Sequence, residues 1–265
     1  ILTLCLLGVI AKLVELAIFE QKFLSSQAQA QSTKSRIIKG SRGEVLDRNG
    51  RPLAISVPVS DLILDPKVIL NSKKYLKIIS SLDNISQINI SKHALIKKLK
   101  NKPKSRYLRI SKELLPQTSH KIKAMRLPGV HLINYERTFY PGGQSSAQII
   151  GFTNENNKGQ SALEKSLDKY LQPKDGKQTL ITNAKGGVLS VIKVNKLSKN
   201  GKDINLSIDQ RIQNLTYQAL KEKVLEVKAE SGSAVVLDPN TGEILAAVSY
   251  PSFDPNDRSA RVGDA

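Results

Sequence analysis

The chain opens on its longest apolar run. Residues 1–19, ILTLCLLGVIAKLVELAIF, hold two charged side chains, Lys12 and Glu15, three positions apart and therefore on one helix face. This is close to the roughly 20 residues with which an α-helix spans a bilayer. A charged pair on one face can close on itself or meet a protein partner. The pattern predicts a single transmembrane helix. A cleaved signal peptide fits less well, because no small-residue cleavage site follows directly and AQAQ near Ala28 is the nearest approach to one. Residues 20–40, EQKFLSSQAQAQSTKSRIIKG, are polar and rich in Gln and Ser, and read as a helical stem fading into a linker.

Beyond residue 40 the period of the pattern changes several times. RGEVLDRNGRPLAISV predicts two short strands about Asn49-Gly50, because both turn residues tolerate positive φ. From about 66 to 128, PKVILNSKKYLKIISSL and SKHALIKKLKN set Ile and Leu at helical spacing against lysines. SRYLRIS alternates as a strand does, and PQTSHKIKAMRL reads as a helix stopped at Pro128-Gly129. Together these predict a small α/β insertion. GVHLINYERTFY returns to a strand, ended by Pro141-Gly142-Gly143. In GQSALEKSLDKYLQ, helical spacing puts Ala162, Leu163, Leu167, Tyr170 and Leu171 on one face and Glu164, Lys165, Asp168 and Lys169 mainly on the other. QTLITN and GGVLSVIKVN follow as strands. INLSIDQRIQNLTYQALKEKVLEVKAE supplies a long helix, with Asp209 as N-cap and Ile212, Leu215, Ala219 and Val224 as its apolar stripe. GSAVVLDPNTGEILAAVSYPSFDPN predicts a hairpin of two apolar strands about Asp238-Pro239-Asn240-Thr241-Gly242.

Composition narrows the class. Hydrophobic residues make up 40%, which supports a packed core, while aromatics at 5% and the lack of Trp point to a multi-part body. The single cysteine, Cys5, excludes an internal disulfide framework and reads as a packing residue in the apolar run. His93, His120 and His131 have no metal-ligand spacing. A net charge of +18 raises the question of nucleic acid. Its distribution argues against that partner: residues 31–130 carry 22 Lys/Arg against 6 Asp/Glu, and residues 201–265 carry 7 against 10. The surplus is scattered lysine on solvated helix faces, without an aromatic-interleaved ribonucleoprotein motif or a zinc finger. Attraction to anionic lipid or wall polymer is the electrostatic role that remains.

One motif demands a catalytic test. Ser166-Leu-Asp-Lys169 has the Ser-x-x-Lys spacing of penicillin-interacting acyl-enzymes, which puts a nucleophile and its base on one helix turn. Such a site also needs Ser-x-Asn and Lys-Thr-Gly elements in that order. Here Lys185-Gly186-Gly187 precedes Ser198-Lys199-Asn200 and lacks the hydroxyl residue. Lys169 also falls on the charged face beside Asp168 and Glu164, and a lysine flanked by carboxylates makes a poor base. Ser166 therefore reads as a surface serine.

Several segments, in order, resemble the N-terminal half of a class B penicillin-binding protein. RGEVLDRNGRPLA resembles the first motif of that family's non-catalytic pedestal, through Arg42, Gly43, Asp47, Arg48 and Gly50. RTFYPGG resembles the second, Arg-x-Tyr-Pro-x-Gly, with Arg137, Tyr140, Pro141 and Gly142 in place once Phe139 is passed over. AQIIGFTNENNKGQSALEKSLDKYL resembles the third through Gly151, Gly159 and Glu164. Ala162 stands where many members carry Gly, which allows a different local turn. LSIDQRIQ and SGSAVVLDPNTGEILAAVSYPSFDPN resemble the opening helix and first two sheet strands of the transpeptidase domain. LAISVPVSDLILDPKVI is nearer the septal, cell-division branch than the elongation branch, which more often reads Leu-Ala-x-Asn where this chain has Leu53-Ala54-Ile55-Ser56.

The resemblance implies an α+β chain: a transmembrane anchor at 1–19, a stem or linker at 20–40, an elongated dimerisation-type pedestal at 41–200 with an insertion at about 66–128, and the first helix and β-hairpin of a transpeptidase domain at 201–265. It implies, for the parent protein, serine acylation by the D-Ala-D-Ala end of a peptidoglycan stem peptide and transfer to a neighbouring amine, without a cofactor. In the family the catalytic serine comes shortly after PSFDPN, so the resemblance places the three catalytic elements beyond Ala265 and expects no activity from residues 1–265 alone. The implied partners are a membrane-embedded glycan polymerase, other division proteins and peptidoglycan stem peptides. Residues 1–19 would sit in the lipid bilayer of the bacterial inner membrane, with the body on the periplasmic side. The competing reading is a stand-alone membrane-anchored scaffold without enzymatic activity. Arg42, Asp47, Arg48, Arg137 and Glu164 are expected to form a charge-paired framework, since short hairpins need tertiary partners to persist.

Overall fold

A computed structural model describes Lys12 and residues 33–88, 90–182 and 188–257. The expected anchor, apart from Lys12, and most of the stem lie outside the described residues. Among the described residues no helix is long and apolar enough to cross a membrane. Along the chain run β1 (Thr33–Ile38), β2 (Val45–Leu46), β3 (Pro52–Leu64), α1 (Pro66–Leu70), α2 (Tyr75–Asp83), α3 (Lys92–Asn101), β4 (Leu108–Leu114), α4 (Pro116–Ala124) and β5 (Val130–Phe139). A 3-10 turn at Gly143–Ser145 leads to α5 (Ala147–Ile150), α6 (Ala162–Ser166), α7 (Asp168–Leu171), β6 (Gly176–Thr182), β7 (Val188–Lys196), β8 (Ile204–Asn205), α8 (Gln210–Glu226), β9 (Gly232–Leu237) and β10 (Ile244–Tyr250).

The chain divides into two compact units. The first joins the described residues up to Ser41 with Pro173–Gly201. In it β1, β6 and β7 form an antiparallel sheet in the order β1-β6-β7. Residues 33–38, inside the stretch expected as stem and linker, are thus a strand. Thr33, Ile37 and Ile38 are β-branched, and β1 finds its ladder on β6, a partner far away in sequence that local polarity does not reveal.

The second unit holds Arg42–Gln172 and the residues from Lys202 onward. Its hairpin turn is built on Asp47, whose Oδ1 accepts the N–H of Asn49 at 2.7 Å and of Arg51 at 2.8 Å, with Gly50 at φ +74. β3 then runs unbroken for 13 residues. Its start pairs with β2, its end with β4, and Ile55 to Leu64 pair with β5 on the way. Pro58 falls between the stretch paired with β2 and the stretch paired with β4, so its missing N–H costs no ladder bond there. β2 continues in parallel into β8, which brings residues 204–205 beside residues 45–46.

Helices α1 to α4 cover one face of β3, β4 and β5. Asp65 caps α1 through Val68 N–H, and Ser91 caps α3 through Ala94 N–H. The helical Ile and Leu positions of the sequence pattern become the core here: Ile69, Ile78, Leu82, Leu95 and Leu99 pack on Leu62 and Leu64. A second core gathers Val45, Leu53, Tyr140, Ile150, Leu171 and Ile208. The α8 stripe differs from expectation. Val224 is buried as expected, but Leu215 is 72% exposed and Ala219 is exposed, whereas Gln213 and Tyr217 are buried. The reason is Gln213, whose amide donates to Ser145 O and Ala247 O and accepts from Ala247 N–H. A fully satisfied polar group thereby takes the position against β10.

Candidate functional site

The pedestal motifs meet on the side chain of Arg42, which is 3% exposed. Its Nη2 lies 2.5 Å from Glu164 Oε2 and its Nε 3.1 Å from the same oxygen. Nη1 reaches Asp168 Oδ1 at 2.9 Å and donates to Asn157 O at 2.9 Å. The Tyr140 hydroxyl donates to Glu164 Oε1 at 3.2 Å. First, second and third motifs thus converge on one buried carboxylate. Burial pushes the Glu164 carboxyl above its ordinary range, against the lowering influence of Arg42. Burial and the Glu164 charge push the Tyr140 hydroxyl up.

Glu164 was expected on the charged, outward face of one helix, with Tyr170 on the buried face. The segment is instead two short helices broken at Leu167, so Glu164 is buried at 1% exposure and Tyr170 is 56% exposed. An inward guanidinium outweighs the apolar periodicity, because a buried cation must be paired. The turn before α6 is tight. A Cβ on Gly159 would lie 1.9 Å from Glu164 O, and one on Gly151, at φ +78, 2.2 Å from Ser161 O. Ala162 takes up left-handed backbone, at φ +45, a conformation that favours glycine.

The other predicted charges go elsewhere. Asp47 Oδ2 accepts the N–H of Gln210 at 3.2 Å, the first residue of α8, and Asn49 donates to Asp209 Oδ2 at 2.9 Å. Asp209 caps α8 through Arg211 N–H. Arg48 pairs with Glu243 at 3.3 Å on an exposed surface. Arg137 pairs with Glu113 and donates to Asn256 O. Asn256 also exchanges two 3.0 Å hydrogen bonds with the main chain of Tyr140. Arg42 and Glu164 are therefore one pair, while Asp47, Arg48 and Arg137 tie the pedestal motifs to α8, to the turn before β10 and to the 250–256 segment. Gly43 donates its N–H to Leu171 O at 2.9 Å. Gly142 has negative φ and no room for a Cβ beside Ser146 Oγ, at 2.3 Å. Pro141 simply leads into that turn.

Sequence reasoning missed Asp168, Asn157 and Asn256. Asn157, at φ +55, bonds Thr138 N–H and Glu136 O with its side chain while its carbonyl takes Arg42. Its signal was the Asn-rich NENNKG turn, where Asn commonly adopts positive φ. Ser166 donates its hydroxyl to Ala162 O at 3.0 Å on an exposed surface, without a basic partner at its oxygen. Among the described residues no cluster of His, Cys, Asp and Glu could hold a metal.

The penicillin-binding protein dimerisation domain matches residues 37–206. Over 96% of its length the chain is 34% identical to the probable peptidoglycan D,D-transpeptidase PbpC of Pseudomonas aeruginosa. It is 35% identical over 99% of its length to the peptidoglycan D,D-transpeptidase FtsI of Escherichia coli, and 36% over 94% to the probable D,D-transpeptidase PenA of Neisseria meningitidis. This chain belongs to the class B penicillin-binding proteins. It spans 44%, 44% and 42% of those three relatives. Among solved structures, penicillin-binding protein 2 of Helicobacter pylori, determined in complex with MreC, shares the fold at a TM-score of 0.60 and 24% identity, over 85% of this chain and 44% of that one. Penicillin-binding protein 2X of Streptococcus thermophilus does so at 0.58 and 20%, over 84% and 36%. In this class B penicillin-binding protein Arg42, Tyr140 and Glu164, from three separate motifs, are thus joined in one buried cluster.

Proposed function

We propose that this chain is the anchor and pedestal part of a peptidoglycan D,D-transpeptidase that cross-links the septal wall, carried by residues 1–19 in the inner membrane with its body in the periplasm. The observation that carries this reading is the clamp of Asn256 on the Tyr140 main chain, joined by Arg137 and by Asp47 on the first N–H of α8. It fixes the helix and hairpin that resemble the start of a transpeptidase domain onto a frame centred on the buried Arg42–Glu164 pair. Such an arrangement supports the reading of a pedestal for a catalytic domain. The relatives' names supply the reaction, and the solved complex of a structural neighbour with MreC supports a protein partner for this chain.

The test uses antibodies to residues 42–172 on membranes of growing cells treated with fluorescent penicillin. A captured, labelled species that concentrates at the division site is expected. A captured species that takes up no label would instead establish the stand-alone scaffold. A labelled species spread along the side wall would overturn the septal role.

A further inference from the structure

Outside the pedestal frame, the insertion contains a cleft of about 460 Å³, inside the range of small-ligand sites. Its floor is the face of β3 and β5 that also carries the insertion core. Pro58, Val130 and Leu132 line it. Its wall is α4 and the turn after it. None of the residues lining the cleft is acidic, whereas His120, Lys123, Arg126 and His131 all border it. The N-terminus of α4 opens here at Pro116, behind an N-cap residue, Leu115, that has no side-chain oxygen to bond the first N–H groups.

A second observation points to a ligand independently of charge. Ser119 lines the cleft, is 8% exposed, and its hydroxyl is buried without a hydrogen-bond partner. A buried hydroxyl left unpaired is costly, and native structures seldom tolerate one. Nearby, Ser60 donates to Asn134 Oδ1 at 2.8 Å, which leaves the Asn134 amide nitrogen as a further donor at the rim.

We infer that this cleft binds a short peptide through its free carboxylate. The basic rim and the Ser119 hydroxyl take the anion, and the apolar floor takes the adjoining side chain. A bare inorganic anion would use the rim and leave the floor wet. A long protein segment would exceed the volume. The inference is independent of the enzymatic reading, because no residue of the pedestal frame lines the cleft.

The probe is N-acetyl-leucyl-leucine, compared with its C-terminal amide and with inorganic phosphate, titrated by calorimetry into the full chain in detergent. Saturable binding of the acid in the micromolar to low-millimolar range is expected, with the amide at least about tenfold weaker. Ser119→Ala and Lys123→Gln should each weaken the acid severalfold. Arg126 stands at φ +46, so Arg126→Gly removes the guanidinium while easing the backbone; it should weaken binding without lowering Tm, which separates binding from folding. Lys97→Gln, away from the cleft, should change nothing. Equal binding of acid and amide, equal binding of phosphate and acid, or no binding up to about 10 mM would each overturn the inference.

Discussion

At the scale of single residues, the pedestal depends on two carboxylates of opposite character. Glu164 is buried against Arg42, and its burial raises its pKa. A carboxyl whose folded pKa lies above its unfolded value of about 4.3 makes its largest contribution at low pH, and that contribution falls as pH rises through the folded value. Arg42 is what restrains this shift. Arg42→Met should therefore lose about 3–5 kcal/mol at pH 7, the cost of an unpaired buried charge. It should recover part of that loss at a lower pH, once the unpaired, buried Glu164 takes up a proton. Urea unfolding at the two pH values measures this, and an equal loss at both would contradict it. Asp47 behaves oppositely. Burial raises its pKa, but the N–H groups of Arg51, Gln210 and Asn49 outweigh burial and hold it below the usual value. Its contribution is present above an unfolded pKa of about 3.9 and is lost as pH falls through the folded value. Asp47→Asn should cost about 1–3 kcal/mol at pH 7 and flatten the decline in stability on acidification below about pH 4. A parallel acid limb in mutant and parent would show that other groups govern it.

At the scale of elements, the turn into α6 sets the node. Ala162 occupies left-handed backbone at φ +45, a conformation that costs an L-residue roughly 1–2 kcal/mol. Ala162→Gly removes that strain and adds about 0.5–1 kcal/mol of unfolded-state entropy. A gain of up to about 1 kcal/mol in chemical denaturation is expected, and a loss would mean the alanine methyl packs usefully. Gly159→Ala should do the reverse, costing about 1–3 kcal/mol or more by overpacking, because its Cβ would meet Glu164 O. These elements also show what a sequence reveals. The insertion was legible because Ile78, Leu82, Leu95 and Leu99 lie at helical spacing and are buried. The hairpins were legible because Asn49-Gly50 and Asn240-Thr241-Gly242 carry local turn chemistry. Gln213 and β1 were not legible because their partners, Ala247 and β6, lie far away along the chain; for Glu164, periodicity pointed outward while the motif pattern pointed to charge pairing, and the pairing with Arg42 prevails. Periodicity assigns polar side chains to water, and only tertiary pairing reverses that assignment.

At the scale of the whole molecule, stability should be uneven within the second unit. β3 is paired with β2, β4 and β5 and packed under α1–α4, so its amides have both ladder partners and an apolar cover. The sheet of β9 and β10 has two strands among the described residues and one covering helix, α8. Ala246 and Val248 are buried, but Val235 at 60% and Leu237 at 55% exposure face outward along β9. Two-stranded sheets are marginal by themselves, and an apolar outer face invites association. Polar contacts add to the apolar packing that retains this part: Gln213 between Ser145 and Ala247, and Asn256 on Tyr140. Native-state hydrogen exchange should then open β9 and β10 at lower free energy than β3. Asn256→Ala should lower the opening free energy of β9–β10 selectively, by about 1–3 kcal/mol, since it leaves the Tyr140 N–H unpaired while the Tyr140 carbonyl keeps the Gly143 N–H. Val235→Thr, on the outer face, should reduce concentration-dependent association with a change in Tm no larger than that of an ordinary surface substitution. If β9 and β3 exchange together, and Asn256→Ala shifts both equally, the second unit unfolds as one cooperative body and the clamp does not define a separable element.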